Sequence, residues 1–113
     1  MNETVIRLLD DCVASPGVLG CGVRLPDRTC RVRCCHVDCP ESALERAMSH
    51  LANSTVLLAS YGLAGHRLVW KFSGGTLLAG SRPDGALFCL VTQTGLDLGE
   101  FFDQTAARIL AAV

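Results

Sequence analysis

The spacing of apolar residues predicts three helices and five short strands in one fixed order. Helical spacing covers residues 2–13, 38–60 and 97–113, and strand-like alternation covers residues 18–25, 29–37, 66–72, 76–81 and 86–93. Successive strands are joined by short connections and must therefore pair antiparallel. The chain is predicted to be an α+β domain with one five-stranded antiparallel sheet that carries helices on its faces.

Alternation also assigns faces to the first two strands. In the first strand one face is predicted to hold Leu19, Cys21, Val23 and Leu25. In the second, one face holds Cys30, Val32 and Cys34, and the other holds Arg31 and Arg33. The two strands are therefore expected to form a hairpin through the turn at residues 26–28.

Capping boxes are predicted at the starts of the second and third helices. The middle helix is expected to begin with Asp38 and Glu41, or with Ser42 and Glu45. Asp97 with Glu100 is the corresponding pair for the last helix. Each pair has the polar residue and the glutamate three positions apart that such a cap requires.

The composition indicates one domain that associates with other chains. A length of 113 residues suits a single domain spanning residues 1–113. Half of the residues are apolar and 19% are charged, against about 25% charged in typical soluble domains. A small domain cannot bury all of this apolar surface, so a dimer is predicted.

Charge and targeting signals exclude several other classes. The net charge of −1 does not favour a nucleic-acid binder, which normally carries a basic excess. No apolar run reaches the roughly 20 residues of a membrane span, and the first residues lack the pattern of a signal peptide. A cytoplasmic location without membrane insertion is expected. The odd count of seven cysteines then favours free thiols.

Four local strings give the chain a resemblance to the roadblock-type dynein light-chain family. They are GVLGCG at residues 17–22, LVWKF at 68–72, RPDGAL at 82–87, and Gly95 before the last helix. The resemblance covers essentially the whole chain. The chain departs from the family pattern in the first hairpin. There Pro26, Asp27 and Arg28 replace a turn that relatives usually build with glycine.

The resemblance implies a dimeric, non-enzymatic scaffold. Two sheets would join through their third strands, the middle helices would pack together, and the first and last helices would cover the other face. Members of that family act on dynein, on endosomal membranes, or as regulators of small Ras-like GTPases in prokaryotes. The implied partners are therefore a second copy of the chain and other proteins, with a small GTPase the leading candidate.

The predicted interface combines the middle helix with the third strand. The middle helix is apolar on more than one face, which is typical of a helix buried on two sides. Its predicted contact residues are Met48 and Leu51. An exposed edge strand invites pairing with another chain, so Val69, Trp70 and Lys71 are predicted to lie at the seam. For Trp70, burial in the sheet core is an equally good reading.

A cluster of cysteines supports an alternative function as a redox or metal sensor. The closest approach to a metal site is Cys34, His36 and Cys39, which requires the strand to end there and still lacks a fourth ligand. Cys39 lies where a helix begins, and a helix N-terminus lowers a thiol pKa. Ordinary free thiols are the plainer reading of these residues.

No catalytic signature occurs in the sequence, so no catalytic residue and no cofactor are predicted. Gly17, Gly20 and Gly22 lead into a strand and do not follow one, so they do not form a dinucleotide loop. A small-molecule sensor of the PAS or GAF kind is the remaining alternative. It would need a pocket over the sheet.

Overall fold

The computed structural model describes residues 2–63 and 67–113, and its elements follow the predicted order. The helices are α1 (Glu3–Val13), α2 (Glu41–Ser60) and α3 (Gly99–Ala112). The strands are β1 (Val18–Arg24), β2 (Cys30–Cys34), β3 (Leu68–Phe72), β4 (Gly75–Ser81) and β5 (Leu87–Thr92). His66, the predicted start of β3, lies outside the described residues.

The five strands form one antiparallel sheet in the order β2-β1-β5-β4-β3. The central strand β5 is buried along its whole length, and β1 beside it is buried up to Arg24. The edges are β2 and β3, and β3 is exposed at four of its five residues. The α+β fold predicted from the sequence is confirmed.

Helices α1 and α3 pack together on one face of the sheet. Their buried side chains are Val5, Leu9, Cys12, Phe102, Ala106 and Ile109. The ring of Phe102 stacks on that of Phe88 from β5, with centroids 5.6 Å apart. The Asn2 side chain joins the two helices, because its Oδ1 accepts from the Val5 N–H at 2.9 Å and its Nδ2 donates to the Ala112 carbonyl at 2.9 Å. Asn2 therefore caps α1 and ties it to the end of α3.

Helix α2 covers the opposite face, packing chiefly on β1 and β2 and more lightly on β4 and β5. Its buried residues are Leu44, Met48 and Ala52. Gly22 makes room for this contact, because a Cβ there would lie 2.7 Å from Met48 Sδ. The predicted placement of the helices, two on one face and one on the other, is confirmed. No helix in the described parts of the chain is both long enough and apolar enough to cross a membrane.

The predicted face of β1 is wrong at Leu19. The β1–β5 register shifts between Val18 and Gly20, as at a β-bulge. Val18 consequently joins Cys21 in the core under α1 and α3, whereas Leu19 packs in the core under α2. One extra residue breaks the period of two, and every side chain before it changes face.

Neither predicted capping box of α2 forms. The helix begins at Glu41 after Pro40, which has φ −66° and makes no side-chain cap. A residue before proline is disfavoured in the helical region, so Asp38 and Cys39 stay outside the helix. At α3 the cap residue is Leu98, and Asp97 Oδ1 accepts from the Gly99 N–H at 3.1 Å in an Asx turn.

Candidate protein-binding surface

The large apolar side chains that remain exposed are concentrated in one stretch of the chain. Nine are exposed among the described residues, and seven of them lie between Val56 and Phe72. These seven, which we call the α2–β3 surface, are Val56, Leu57, Tyr61, Leu63, Val69, Trp70 and Phe72. Scattered exposed apolar residues are ordinary, whereas a contiguous apolar patch is typical of a contact site.

The second half of α2 and the start of β3 meet the same end of β4. Val56 lines a cleft of about 340 Å³ together with Ser81 and Arg82, where β4 ends. Leu68, the first residue of β3, pairs with Ala79, two residues before Ser81. The second half of α2 and the start of β3 therefore both lie near the end of β4.

Strand β3 terminates the sheet and pairs with β4 on one side. The backbone N–H and C=O groups on its outer side point away from the sheet, which makes β3 a template for another strand. Lys71 is the one charged residue in the strand, and the other four are Leu68, Val69, Trp70 and Phe72. An apolar edge of this kind is suited to pairing with a second chain.

The side chains of β3 divide between the two faces of the sheet. Trp70 lies opposite Leu77, which packs in the core under α2, so Trp70 is on the α2 face. Trp70 is nevertheless 67% exposed, because α2 packs mainly on β1 and β2, away from the β3 edge. Val69 lies opposite Leu78 on the α1–α3 face and is 50% exposed. The sheet-core reading of Trp70 is therefore wrong for the single chain.

Met48 and Leu51 occupy different environments on α2. Met48 is completely buried, and its Sδ lies 3.9 Å from Cys30 Sγ. A second chain has no part of Met48 to touch, so an interface role does not fit this residue. Leu51 is half-buried and packs at the margin of the core. The helix is apolar on two sides as expected, and its large exposed apolar residues are Val56 and Leu57.

The cysteine cluster places two of its three candidate ligands together. Cys34 Sγ and Cys39 Sγ are 3.5 Å apart. His36 turns to Asp38 instead, and its Nδ1 accepts from the Asp38 N–H at 3.1 Å. Within residues 2–63 and 67–113, no three His, Cys, Asp or Glu side chains converge as metal ligands.

The environment of Cys39 differs from the one expected of a reactive thiol. Burial raises the pKa of Cys39, and burial with the neighbouring Cys39 thiol raises the pKa of Cys34 to about 12. The predicted lowering at a helix N-terminus does not occur, because α2 starts two residues later, after Pro40. Both thiols are thus protonated at neutral pH.

Packed side chains fill both faces of the central strands, where a PAS- or GAF-like pocket would lie. A groove of about 550 Å³ lies towards the edge of the sheet. It runs between β3, β4 and the loop before α3, and Val69 and Lys71 line it. This groove is therefore an open surface at the β3 edge.

Comparison with solved structures identifies the fold. A Roadblock/LC7 domain from Streptomyces avermitilis superimposes with a TM-score of 0.66 at 15% identity, over 94% of this chain and 92% of that chain. The chain has the roadblock fold. MglB in a tetrameric arrangement matches with a TM-score of 0.70 at 16% identity, over 97% of this chain and 85% of that chain. MglC from Myxococcus xanthus matches with a TM-score of 0.60 at 16% identity, over 97% of this chain and 99% of that chain.

Comparison of the sequence with family models and with curated proteins finds no match. The likeness to roadblock proteins is therefore one of structure. The chains share the order of helices and strands, although few of their residues are identical. Five residues of the α2–β3 surface were not predicted as site residues from the sequence: Val56, Leu57, Tyr61, Leu63 and Phe72. The sequence did hold one signal of this surface: Val56 and Leu57 lie off the main apolar stripe of α2.

Proposed function

We propose that this roadblock-fold chain is a non-catalytic protein-binding module that works as a homodimer. The observation that carries the proposal is the α2–β3 surface, in which an apolar edge strand carries a largely exposed Trp70. Tryptophan is among the residues most enriched at the energetic centres of interfaces. A second copy of the chain supplies what this surface lacks, namely a strand to pair with β3 and apolar side chains to cover Trp70.

Antiparallel pairing of two β3 strands suits a symmetric dimer. An antiparallel pair of identical strands has a two-fold axis between them, so each contact occurs twice. The two sheets would then join into one, with the outward residues of both α2 helices on the same face. Leu51, Leu57 and Trp70 are the residues proposed to make this contact, with Val69 and Lys71 on the opposite face of the joined sheet.

The dimer is proposed to bind other proteins in the cytoplasm, with a small Ras-like GTPase as the leading partner. Two things support this: the roadblock resemblance in the sequence, and the structural likeness to MglB and MglC. The near-neutral net charge of −1 favours a protein partner over nucleic acid. The chain itself contributes a surface and no chemistry.

Affinity capture from the native host tests the partner, with two matched variants. Leu57→Asp puts a carboxylate on the proposed interface, and Val37→Asp puts one on an exposed apolar residue elsewhere. Wild type and Val37→Asp should retain a Ras-like GTPase, and Leu57→Asp should lose it. The purified GTPase should then bind with an affinity that depends on whether it holds GDP or a GTP analogue. Equal capture by all three proteins would refute a partner site that depends on the dimer.

A further inference from the structure

Two thiols converge where β2 gives way to α2. Cys34 is the last residue of β2, and Cys39 directly precedes Pro40, the cap residue of α2. The intervening turn is closed by the Cys39 N–H, which donates to the His36 carbonyl at 3.0 Å. This turn brings the two Sγ atoms to 3.5 Å, with both side chains half-buried.

Gly20 of β1 provides the space in which the two sulfurs meet. Gly20 lies opposite Cys34 in the β1–β2 ladder. A Cβ on Gly20 would lie 3.0 Å from Cys34 Sγ and 3.0 Å from Cys39 Sγ. The two sulfurs thus sit together over a position that has no side chain, and any larger residue at position 20 would push them away.

We propose that Cys34 and Cys39 are a reversible disulfide site, oxidised by a low-molecular-weight disulfide such as oxidised glutathione. The sulfurs need to approach from 3.5 Å to about 2.05 Å, the length of the bond. The bond would close a small ring through residues 35–38 and tie the end of β2 to the start of α2. The site is independent of dimer formation.

The oxidation is a balanced thiol–disulfide exchange. One protein thiolate attacks a sulfur of oxidised glutathione, which breaks the glutathione disulfide and releases one glutathione thiolate. The second protein thiolate then attacks the mixed disulfide at the protein sulfur and releases the second glutathione. The two electrons lost by the protein thiols reduce the glutathione disulfide to two thiols, and the two thiol protons pass to the released thiolates. Reduced glutathione drives the reverse reaction.

Four of the other five cysteines are less suited to this exchange. Cys12, Cys21 and Cys89 are buried in the two cores, where a soluble disulfide cannot reach them. Cys35 is exposed, but it lies next to Cys34 on an extended backbone and its Sγ donates to the Val18 carbonyl at 3.1 Å. The Cys35 N–H donates to the Leu19 carbonyl at 3.0 Å and so continues the β1–β2 ladder, which puts the Cys35 side chain on the face opposite to Cys34.

Protonation makes the exchange slow at neutral pH. Burial raises the pKa of both Cys34 and Cys39, and the thiolate is the species that attacks. The rate should therefore rise as the pH increases above neutrality.

Peptide mapping of the full-length Cys35→Ser variant tests the site directly. Trypsin cleaves after Arg33 and Arg46, so one peptide of residues 34–46 carries Cys34 and Cys39 as its only thiols in this variant. The folded protein is equilibrated at increasing ratios of oxidised to reduced glutathione, acid-quenched, alkylated and digested. The expected peptide loses the mass of two hydrogen atoms and takes up no alkylating agent, and dithiothreitol restores both alkylation sites.

Two further proteins complete the experiment. Cys35→Ser combined with Cys39→Ser should never show the two-hydrogen loss, and the wild type should form the same internal bond as Cys35→Ser. Full alkylation of Cys34 and Cys39 under conditions that oxidise a free dithiol would overturn the proposal. So would a wild type that is modified by glutathione at Cys35 alone.

Discussion

Trp70 of β3 and Leu77 of β4 lie directly opposite each other, yet their environments differ. Leu77 is half-buried in the core under α2, whereas Trp70 is 67% exposed. Opposite residues on antiparallel strands share a face and normally share a packing environment. The apolar layer under α2 therefore continues onto the edge strand, where no side chain of the described residues covers it fully. This continuity is what a second chain can complete.

Trp70→Ala should weaken the dimer and leave the fold intact. Loss of a buried interface tryptophan commonly costs about 2 kcal/mol or more, equivalent to a roughly 30-fold increase in the dimer Kd. The stability of the separated chain should change by less than about 0.5 kcal/mol, as for other surface substitutions. Sedimentation over a dilution series measures the Kd. Val37→Ala is the control, and a Kd that changes equally in both variants would argue against a seam at β3.

Met48→Asp and Leu57→Asp should fail in different ways, although both residues lie on α2. Met48 is completely buried against the sheet, so an aspartate there places an unpaired charge in the core and should unfold the domain. Leu57 is 58% exposed, so Leu57→Asp should leave a folded monomer. Circular dichroism and mass measurement separate the two outcomes. An unfolded Leu57→Asp, or a folded Met48→Asp, would contradict the placement of α2.

The order and layering of elements were predictable because apolar spacing reports burial directly. The bulge in β1 was not, because one inserted residue leaves no mark on composition and yet moves Leu19 to the other face. The Asp38–Glu41 capping box failed for a different reason. Pro40 excludes helix before it, and that constraint outweighs the match of Asp38 to a capping pattern.

The candidate site was predictable in part. An apolar α2 and an exposed β3 both followed from the pattern, but the pattern does not say which apolar side of a helix meets its own sheet. Gly22 settles this by admitting Met48, and that contact joins residues distant in sequence. The Cys34–Cys39 contact was equally hidden, because it exists only where β2 ends and the chain turns back.

Arg28→Gly should stabilise the domain. Arg28 is exposed in the first hairpin turn and has φ +73°, in the left-handed region that costs L-residues about 1–2 kcal/mol. Glycine avoids this cost but loses more conformational entropy on folding, which leaves a net gain of about 0.5–1 kcal/mol. Urea denaturation measures it. Arg28→Ala retains the strain and should show no gain, so equal stabilisation by both variants would disprove the backbone explanation.

Stability should fall with rising pH in the alkaline range, and Cys34 should contribute to the fall. Burial and the adjacent Cys39 thiol raise the pKa of Cys34 to about 12, whereas an unfolded cysteine titrates near ~8.5. Below about pH 8.5 both states keep the proton, so this thiol adds no pH dependence. Above it the unfolded chain loses the proton first, and the stabilisation is lost as the pH rises towards the folded pKa. Under reducing conditions, Cys34→Ser should flatten the alkaline decline relative to wild type, and an identical decline would contradict the assignment.

The mass of the purified wild-type chain in solution, measured by light scattering at micromolar concentration, tests the central claim most directly. If a second copy completes the α2–β3 surface, the wild-type chain has the mass of a dimer. Leu57→Asp should then have the mass of a monomer, and Val37→Asp should remain a dimer. A wild-type chain that keeps the monomer mass as its concentration is raised well above the micromolar range would contradict the account.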